Sequence, residues 1–145
     1  MHQAPKGGSE AIGKSRGGAS TKLHATVDGH GNPVRLKLTE GQVHDVTQAI
    51  AMLQDEGVQV LADKAYDSDT LREHLDKLGC ESVIPSKKNR LEARPIDTHT
   101  YKSRHLVENF FAKLKHFRRV ATRYEKTARN YLAMVHVASI IILLR

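Results

Sequence analysis

Four polar side chains in the second half of the chain share one face if their segment is helical. At about 100° per residue they fall within a stripe roughly 60° wide, and they are Tyr101, Arg104, Glu108 and Lys115. The apolar residues of the same segment face broadly the other way. A carboxylate, two fixed cations and a phenol on a helix anchored by its apolar side form a preorganised surface suited to phosphate and metal.

A simpler interpretation of this segment is a surface helix without a function. Arg104 and Glu108 would then form an i, i+4 ion pair worth about 0.3–0.5 kcal/mol. Spacing alone favours this interpretation over the functional one.

Asp63 is a second candidate because of the run that precedes it. Residues 58–62 are mostly apolar, as expected of a short strand covered on both faces. Open α/β sheets commonly place their sites at the carboxyl ends of such strands. The alternative is a carboxylate that merely caps a turn.

The elements that must position these residues follow from apolar spacing. Residues 21–28 and 33–39 alternate around a Gly-rich turn and predict a β-hairpin. A helix is expected from Asp45, and the next begins after a cap by Ser68 or Asp67. The remaining predictions are a strand at 82–84, a basic loop at 86–100, a long helix from about Tyr101 to about Arg118, and a final helix from about Thr127.

Length and composition indicate one α/β domain after an arm. Residues 1–20 are rich in Gly, Ser and Lys and predict a flexible arm, without a secretory signal. The strongest apolar run, residues 131–144, is shorter than a membrane span of roughly 20 residues. The single Cys80 excludes an internal disulfide, so a cytoplasmic location without membrane association is expected.

Positive charge is concentrated in one stretch. Residues 1–86 hold 9 basic and 12 acidic side chains, whereas residues 87–129 hold 13 basic and 4 acidic ones. Such segregation is typical of proteins that bind nucleic acid. A solvated charged face is the alternative.

Several motifs together resemble the bacterial insertion-sequence transposases of the DDE type. The four-residue stripe is similar to the Tyr, Arg, Glu and Lys motif around the catalytic glutamate of that family. The segment 62–68, Ala-Asp-Lys-Ala-Tyr-Asp-Ser, resembles the box whose first aspartate is the second catalytic carboxylate. Residues 17–24, 41–45 and 117–124 resemble further family boxes, in the same order.

This resemblance implies a ribonuclease H-like mixed sheet covered by helices, and metal-dependent cleavage and strand transfer of DNA. It implies Asp63 and Glu108 as catalytic residues and metal ligands, with two Mg²⁺ or Mn²⁺ ions held by carboxylate oxygens. Tyr101, Arg104 and Lys115 would support them. The expected DNA is the terminal inverted repeats and the target.

Six basic side chains are expected to bind this DNA. They are Lys87, Lys88, Arg90, Arg118, Arg119 and Arg123. Their phosphate contacts would make binding strongly dependent on salt.

The resemblance also implies a first catalytic aspartate on a strand that precedes the hairpin. Residues 1–20 contain only Glu10 as an acidic residue, so we expect residues 21–145 to be a partial domain without its first strand. Asp28 is assigned to the hairpin turn. Asp45 is assigned to the cap of the following helix, and a secondary role of Asp45 near the site stays open. The nine histidines show no metal-ligand spacing.

Two functional hypotheses follow. In the first, the chain is a transposase catalytic domain that is inactive alone or needs an upstream transposase fragment or a homo-oligomer. In the second, it is a non-catalytic DNA-binding remnant or an inhibitor of a full-length transposase. A general nuclease explains the carboxylates but not the other motifs.

Overall fold

A computed structural model describes residues 10–145. Short 3-10 helices occur at Lys64–Tyr66 and Lys102–Arg104. The other elements in chain order are β1 (Gly13–Ser15), β2 (Gly18–Val27), β3 (Pro33–Glu40), α1 (Asp45–Met52), β4 (Gln59–Leu61), α2 (Asp69–Lys77), β5 (Glu81–Val83), α3 (Thr98–Tyr101), α4 (His105–Leu114), α5 (Arg118–Ala121) and α6 (Ala128–Leu143). The chain is therefore a mixed α/β protein, as the sequence predicts.

The strands of the described chain form two sheets, whereas one mixed sheet was expected. β1, β2 and β3 form an antiparallel sheet in that order, and β4 pairs with β5 in parallel. The described residues also divide into two compact units. Unit 1 combines the residues up to Val43 with those from Asn109, and unit 2 is His44–Glu108.

The β-hairpin of unit 1 is confirmed. β2 and β3 pair with Leu23 opposite Leu38 and Ala25 opposite Leu36. Asp28 lies in the connecting turn, where its Oδ1 accepts the N–H of His30 at 2.8 Å and of Asn32 at 2.9 Å. Asp28 is thus a turn residue, as its neighbouring glycines indicate.

The arm expected over residues 1–20 is wrong for residues 13–15 and 18–20. Residues 13–15 form β1, which pairs Lys14 with Ala19, and residues 18–20 begin β2. Gly18 has a φ of 102°, which a glycine adopts readily at this tight turn. A Gly-rich composition conceals this pairing because backbone hydrogen bonds need no particular side chain. The part of the arm at residues 1–9 lies outside the described residues.

Unit 1 is held by an apolar core beneath its helices. Buried side chains from α4, α5 and α6 form it, and residues of the hairpin pack against it. The buried members are Phe110, Leu114, Val120, Tyr131, Val135 and Ala138. Thr127 caps α6, as predicted, by accepting the N–H of Asn130. Among residues 10–145, no helix combines the length and the apolar character required to cross a membrane.

The long helix predicted from about Tyr101 to about Arg118 is interrupted. The helical segment begins earlier, at Thr98, passes through a 3-10 turn and ends at Leu114. The N–H groups of His116 and Phe117 bond to carbonyls three residues back, and Phe117 is extended, so Arg118 begins a separate short helix. Sequence periodicity missed this break because Phe117 and Val120 pack on the same core as α4.

Unit 2 packs α1 and α2 against its parallel strands. Leu71, Leu75 and Ile84 are fully buried there, and the residues of α1 that predicted a helix pack against them. His44, not Asp45, occupies the N-cap position of α1, so the prediction that Asp45 caps this helix is wrong. Asp45 lies in the first turn, where its charge interacts favourably with the helix dipole.

A buried ion pair anchors the end of β5 and the loop that follows. Ser68 caps α2, which leaves Asp67 free for another role. The side chains of Asp67 and Arg72 are 0% and 1% exposed. Asp67 Oδ1 accepts a hydrogen bond from Arg72 Nε at 2.7 Å. Arg72 Nη2 also donates to the carbonyl of Ile84 at 2.9 Å. The second oxygen, Asp67 Oδ2, accepts the N–H of Lys87 at 2.7 Å and Nε of Arg90 at 2.9 Å.

These contacts determine the charge state of Asp67. Burial opposes ionisation and by itself raises the pKa of the Asp67 carboxyl. The hydrogen bonds from Arg90, Lys87 and Arg72 outweigh burial, so the pKa lies well below the ordinary value of 3.8. Asp67 is therefore a carboxylate at neutral pH.

We expect Asp67→Asn to destabilise the fold severely. It leaves the Arg72 charge buried without its counter-ion, which typically lowers the free energy of unfolding by about 3–5 kcal/mol. Urea denaturation followed by circular dichroism at pH 7 measures the loss. Asp69→Asn is the matched control, because Asp69 pairs with Arg90 but is 81% exposed, and it should lose less than about 1 kcal/mol. Equal losses in the two variants would contradict this account.

The same carboxylate predicts a dependence of stability on pH. Its folded pKa is lowered, so its contribution is present above the unfolded pKa and disappears as the pH falls through the folded value. The difference in unfolding free energy between the unmodified chain and Asp67→Asn should be constant above about pH 5 and shrink below about pH 4. Urea titrations at several pH values measure it. A difference that grows on acidification would refute the assignment.

Candidate active site

Asp63 lies immediately beyond a parallel strand. β4 ends at Leu61, opposite Val83 of β5, and the chain then enters the 3-10 helix Lys64–Tyr66. Asp63 is the N-cap of that short helix, where its Oδ1 accepts the N–H of Ala65 at 2.7 Å. The side chain is half-buried. Asp63 therefore caps a turn and also stands at the carboxyl end of a parallel strand, and its assignment to a site stays a prediction.

Two negative charges lie near Tyr66 in this segment. Burial raises the pKa of the Tyr66 phenol, and the negative charges of Asp45 and Asp63 raise it further. Helix α1 packs against the Lys64–Tyr66 turn, which brings Asp45 into this neighbourhood. The sequence leaves a secondary role of Asp45 near this site open, because the packing of α1 on this turn produces no local pattern.

Tyr101, Arg104 and Glu108 form a linked set. Arg104 Nη2 donates to Glu108 Oε1 at 2.7 Å, and the Arg104 guanidinium carbon lies 5.7 Å from the centre of the Tyr101 ring. The pair is exposed enough for solvent to weaken it, so its stabilising value is small. Its geometric effect is larger, because one guanidinium fixes the carboxylate while the ring supports the guanidinium.

Lys115 follows the last residue of α4. Its backbone N–H bonds to the carbonyl of Phe111 at 3.1 Å, so Lys115 continues the helical path by one residue, and its side chain is exposed. Lys115 is not part of the buried apolar face of the helix, which contains Phe110 and Leu114. The fourth member of the stripe is thus presented to solvent.

The carboxylates suit a divalent metal in chemistry, though the described residues assemble no complete site. Asp63 and Glu108 offer the oxygen ligands that Mg²⁺ and Mn²⁺ prefer. Within residues 10–145, no group of three or more His, Cys, Asp or Glu side chains is arranged to hold a metal ion. Each of the two carboxylates has one oxygen engaged by a protein donor.

The basic side chains expected to bind DNA have different surroundings. Lys87 and Lys88 are exposed at the start of the loop after β5. Arg90 is only 19% exposed, and its guanidinium bonds to the carboxylates of Asp67 and Asp69. Two carboxylates thus already engage the Arg90 guanidinium, and its assignment to direct DNA contact stays a prediction.

Arg123 is likewise engaged within the protein, and its assignment to DNA also stays a prediction. Its guanidinium donates to Thr21 Oγ1 at 2.7 Å and to the carbonyls of Glu10, Glu125 and Lys126 at 2.8–2.9 Å. It lies against the Tyr131 ring as well. Arg123 thus connects the start of the described chain to β2 and α6, and its donors are used within unit 1.

Arg118 and Arg119 remain available at the surface. Arg118 Nε donates to the hydroxyl of Tyr124 at 3.1 Å and its guanidinium lies near that ring. Arg119 pairs with Glu125 at 3.1 Å but is 64% exposed. Both keep a large part of their donor surface accessible.

Comparisons with known proteins give one consistent result. The family model described as "Transposase DDE domain" matches residues 1–143. The chain is 43% identical over 129 residues to the "Putative transposase for insertion sequence element IS6501" of Brucella ovis, an alignment that covers 87% of the chain and 99% of that relative. It is 32% identical over 137 residues to the "Putative transposase for insertion sequence element IS402" of Burkholderia cepacia, covering 86% of the chain and 62% of the relative.

A third relative is more distant. The chain is 26% identical over 121 residues to the "Transposase for insertion sequence element IS1106" of Neisseria meningitidis serogroup B, which covers 81% of the chain and 41% of the relative. The chain therefore spans less than two thirds of the Burkholderia and Neisseria relatives. No solved structure matches the chain.

The family match extends over nearly the whole chain and includes both the Asp63 segment and the linked set around Glu108. It confirms the resemblance that the motifs indicated. The chain belongs to the DDE transposases of insertion sequences.

Proposed function

We propose that the chain takes part in metal-dependent cleavage and strand transfer of DNA at insertion-sequence ends. The observation that carries this proposal is the linked set of Tyr101, Arg104 and Glu108, which presents a fixed carboxylate on an exposed helical surface. Asp63 supplies a second carboxylate at the end of a parallel strand, where α/β proteins commonly place their sites. Membership of the transposase family supports DNA as the substrate.

Each residue has a defined part in this proposal. Asp63 and Glu108 would hold Mg²⁺ or Mn²⁺, ions that carboxylate sites acting on phosphate commonly use, in the two-ion arrangement. When bound, these ions activate a nucleophilic oxygen and stabilise the oxygen that leaves the phosphorus. Arg104 orients Glu108, Tyr101 supports the Arg104 guanidinium, and Lys115 contacts a phosphate.

The fold of the functional protein is part of the proposal. We propose that the antiparallel β-hairpin and the parallel pair of β4 and β5 are parts of a ribonuclease H-like fold. The family's catalytic set has one more acidic residue than Asp63 and Glu108. We propose that an upstream transposase fragment contributes it.

A cleavage assay tests the catalytic assignment. Nicking of insertion-sequence end DNA should require Mg²⁺ or Mn²⁺, and Asp63→Asn and Glu108→Gln should each lower its rate at least about a hundredfold, because each removes charge from the site. The assay is run on the chain alone and with a fragment that carries the upstream acidic residue. Glu92→Gln is the matched control, since Glu92 is an exposed acid on the loop after β5.

The outcomes of this assay separate the possible roles. Cleavage that needs the fragment supports a split active site, and cleavage by the chain alone excludes that requirement. Cleavage that persists in both Asp63→Asn and Glu108→Gln would reject the proposed residues. DNA binding without cleavage under either condition would favour a non-catalytic DNA-binding role or inhibition of a full-length transposase.

Binding to DNA should depend strongly on salt. If the protein makes six to ten phosphate contacts, its affinity should fall by about 10³–10⁵ between 50 and 200 mM salt. Fluorescence anisotropy with labelled duplex measures this slope. The double variant Arg118→Gln, Arg119→Gln should reduce the slope by about two.

A control variant comes from the acidic half of the chain. Lys77→Gln removes an exposed charge on α2, and it should leave the slope unchanged. Equal slopes for the Arg118, Arg119 double variant and the unmodified chain would show that these arginines do not contact phosphate.

A further inference from the structure

The loop between β5 and α3 carries two of the exposed cations. Residues 84–97 contain neither helix nor strand, and Lys87 and Lys88 project from the loop near its start. Long loops without regular structure in compact proteins usually have a function or are disordered. What holds this loop therefore determines whether its lysines have a defined position.

One buried carboxylate holds it. Asp67 accepts the backbone N–H of Lys87 at 2.7 Å and Nε of Arg90 at 2.9 Å, and Arg90 Nη2 lies 2.8 Å from its other oxygen. Further along, Ser86 Oγ accepts the N–H of Arg94 at 2.9 Å. The two lysines thus lie in a segment that is attached at its backbone and at Arg90.

The attachment point is close in the chain to the proposed metal ligand. Asp63 is the N-cap of the 3-10 helix Lys64–Tyr66, and Asp67 is the residue that ends it. The N–H of Tyr66 bonds to the carbonyl of Asp63 at 3.0 Å, and the N–H of Asp67 bonds to that of Lys64 at 3.2 Å. This single hydrogen-bonded turn therefore connects Asp63 to the anchor of the loop.

The ion pair contributes geometry more than stability. Apolar residues of similar volume often stabilise a protein as well as a buried ion pair does. A carboxylate bound by a planar guanidinium fork instead fixes the direction of both groups. Asp67 receives two nitrogens of the Arg90 guanidinium and the Nε of Arg72, so the position of Arg90 in the loop is fixed relative to α2.

We infer that Asp67 and Arg90 are positioning residues that hold Lys87 and Lys88 in place to bind the phosphate backbone of DNA next to Asp63. This inference rests on the proposed function. Arg90 itself does not contact DNA, because Asp67 and Asp69 occupy its guanidinium. The lysines supply the charge and the ion pair supplies their position.

DNA binding by Arg90 variants tests the inference. The full chain and its variants bind labelled insertion-sequence end duplex in metal-free buffer at 50–200 mM salt. Arg90→Gln should weaken binding about tenfold, because the lysines must then be ordered on binding. Arg90→Lys should weaken it equally, since an ammonium group keeps the charge but cannot form the fork. Neither variant should change the salt slope.

Two further variants define the reference behaviour. Replacing both Lys87 and Lys88 with Ala should reduce the salt slope by about two, as expected for lost phosphate contacts. Arg94→Gln removes a charge from the same loop without touching Asp67, and its affinity should stay within about threefold of the unmodified chain. Hydrogen exchange should rise at residues 86–94 in both Arg90 variants and not in Arg94→Gln. Melting curves establish that each variant is folded.

Several outcomes would overturn the inference. If Arg90→Lys binds like the unmodified chain while Arg90→Gln loses about one unit of salt slope, Arg90 contacts phosphate directly. If both Arg90 variants bind normally, the loop needs no anchor. If the unmodified chain shows no salt-dependent binding, the proposed function fails and this inference fails with it. Normal binding by the Lys87, Lys88 double variant would show that these lysines do not bind phosphate. It would overturn this inference but not the proposed function.

Discussion

The buried pair of Asp67 and Arg72 is the constraint on which unit 2 depends. Two charges enclosed away from water are tolerated only when nearly every donor and acceptor is satisfied. Arg72 reaches Ile84 at the end of the parallel strand pair, and Asp67 reaches the backbone of the loop beyond it. One ion pair thus joins the turn after β4, the start of α2 and the end of β5.

Local patterns in the sequence were sufficient for the elements that depend on near neighbours. Alternation of apolar residues predicted the hairpin, and Ser68 and Thr127 were correct helix caps because each bonds within its own first turn. The position of Asp63 after a strand followed in the same way. The Arg104–Glu108 pair was also foreseeable, since four residues separate the partners along one helix.

The role of an arginine could not be predicted when its partners are distant in the chain. Arg90 and Arg123 were assigned to DNA from charge alone, yet their partners lie 23 and 102 residues away, at Asp67 and Thr21. The same limitation concealed β1, whose pairing depends on backbone groups. Helical spacing around Glu108 likewise does not determine how many carboxylates come together to bind a metal, because that depends on the tertiary structure.

Unit 1 is discontinuous in the chain, and this affects the order in which its contacts can form. As the ribosome releases the chain from its first residue, Leu23 and Leu38 emerge long before Phe110 and Val135, against whose cluster they pack. Unit 2 is one continuous segment and lies entirely between these two parts. Its contacts can therefore form while the hairpin still lacks its core, so the β-hairpin stays exposed to aggregation until the second segment of unit 1 has been made.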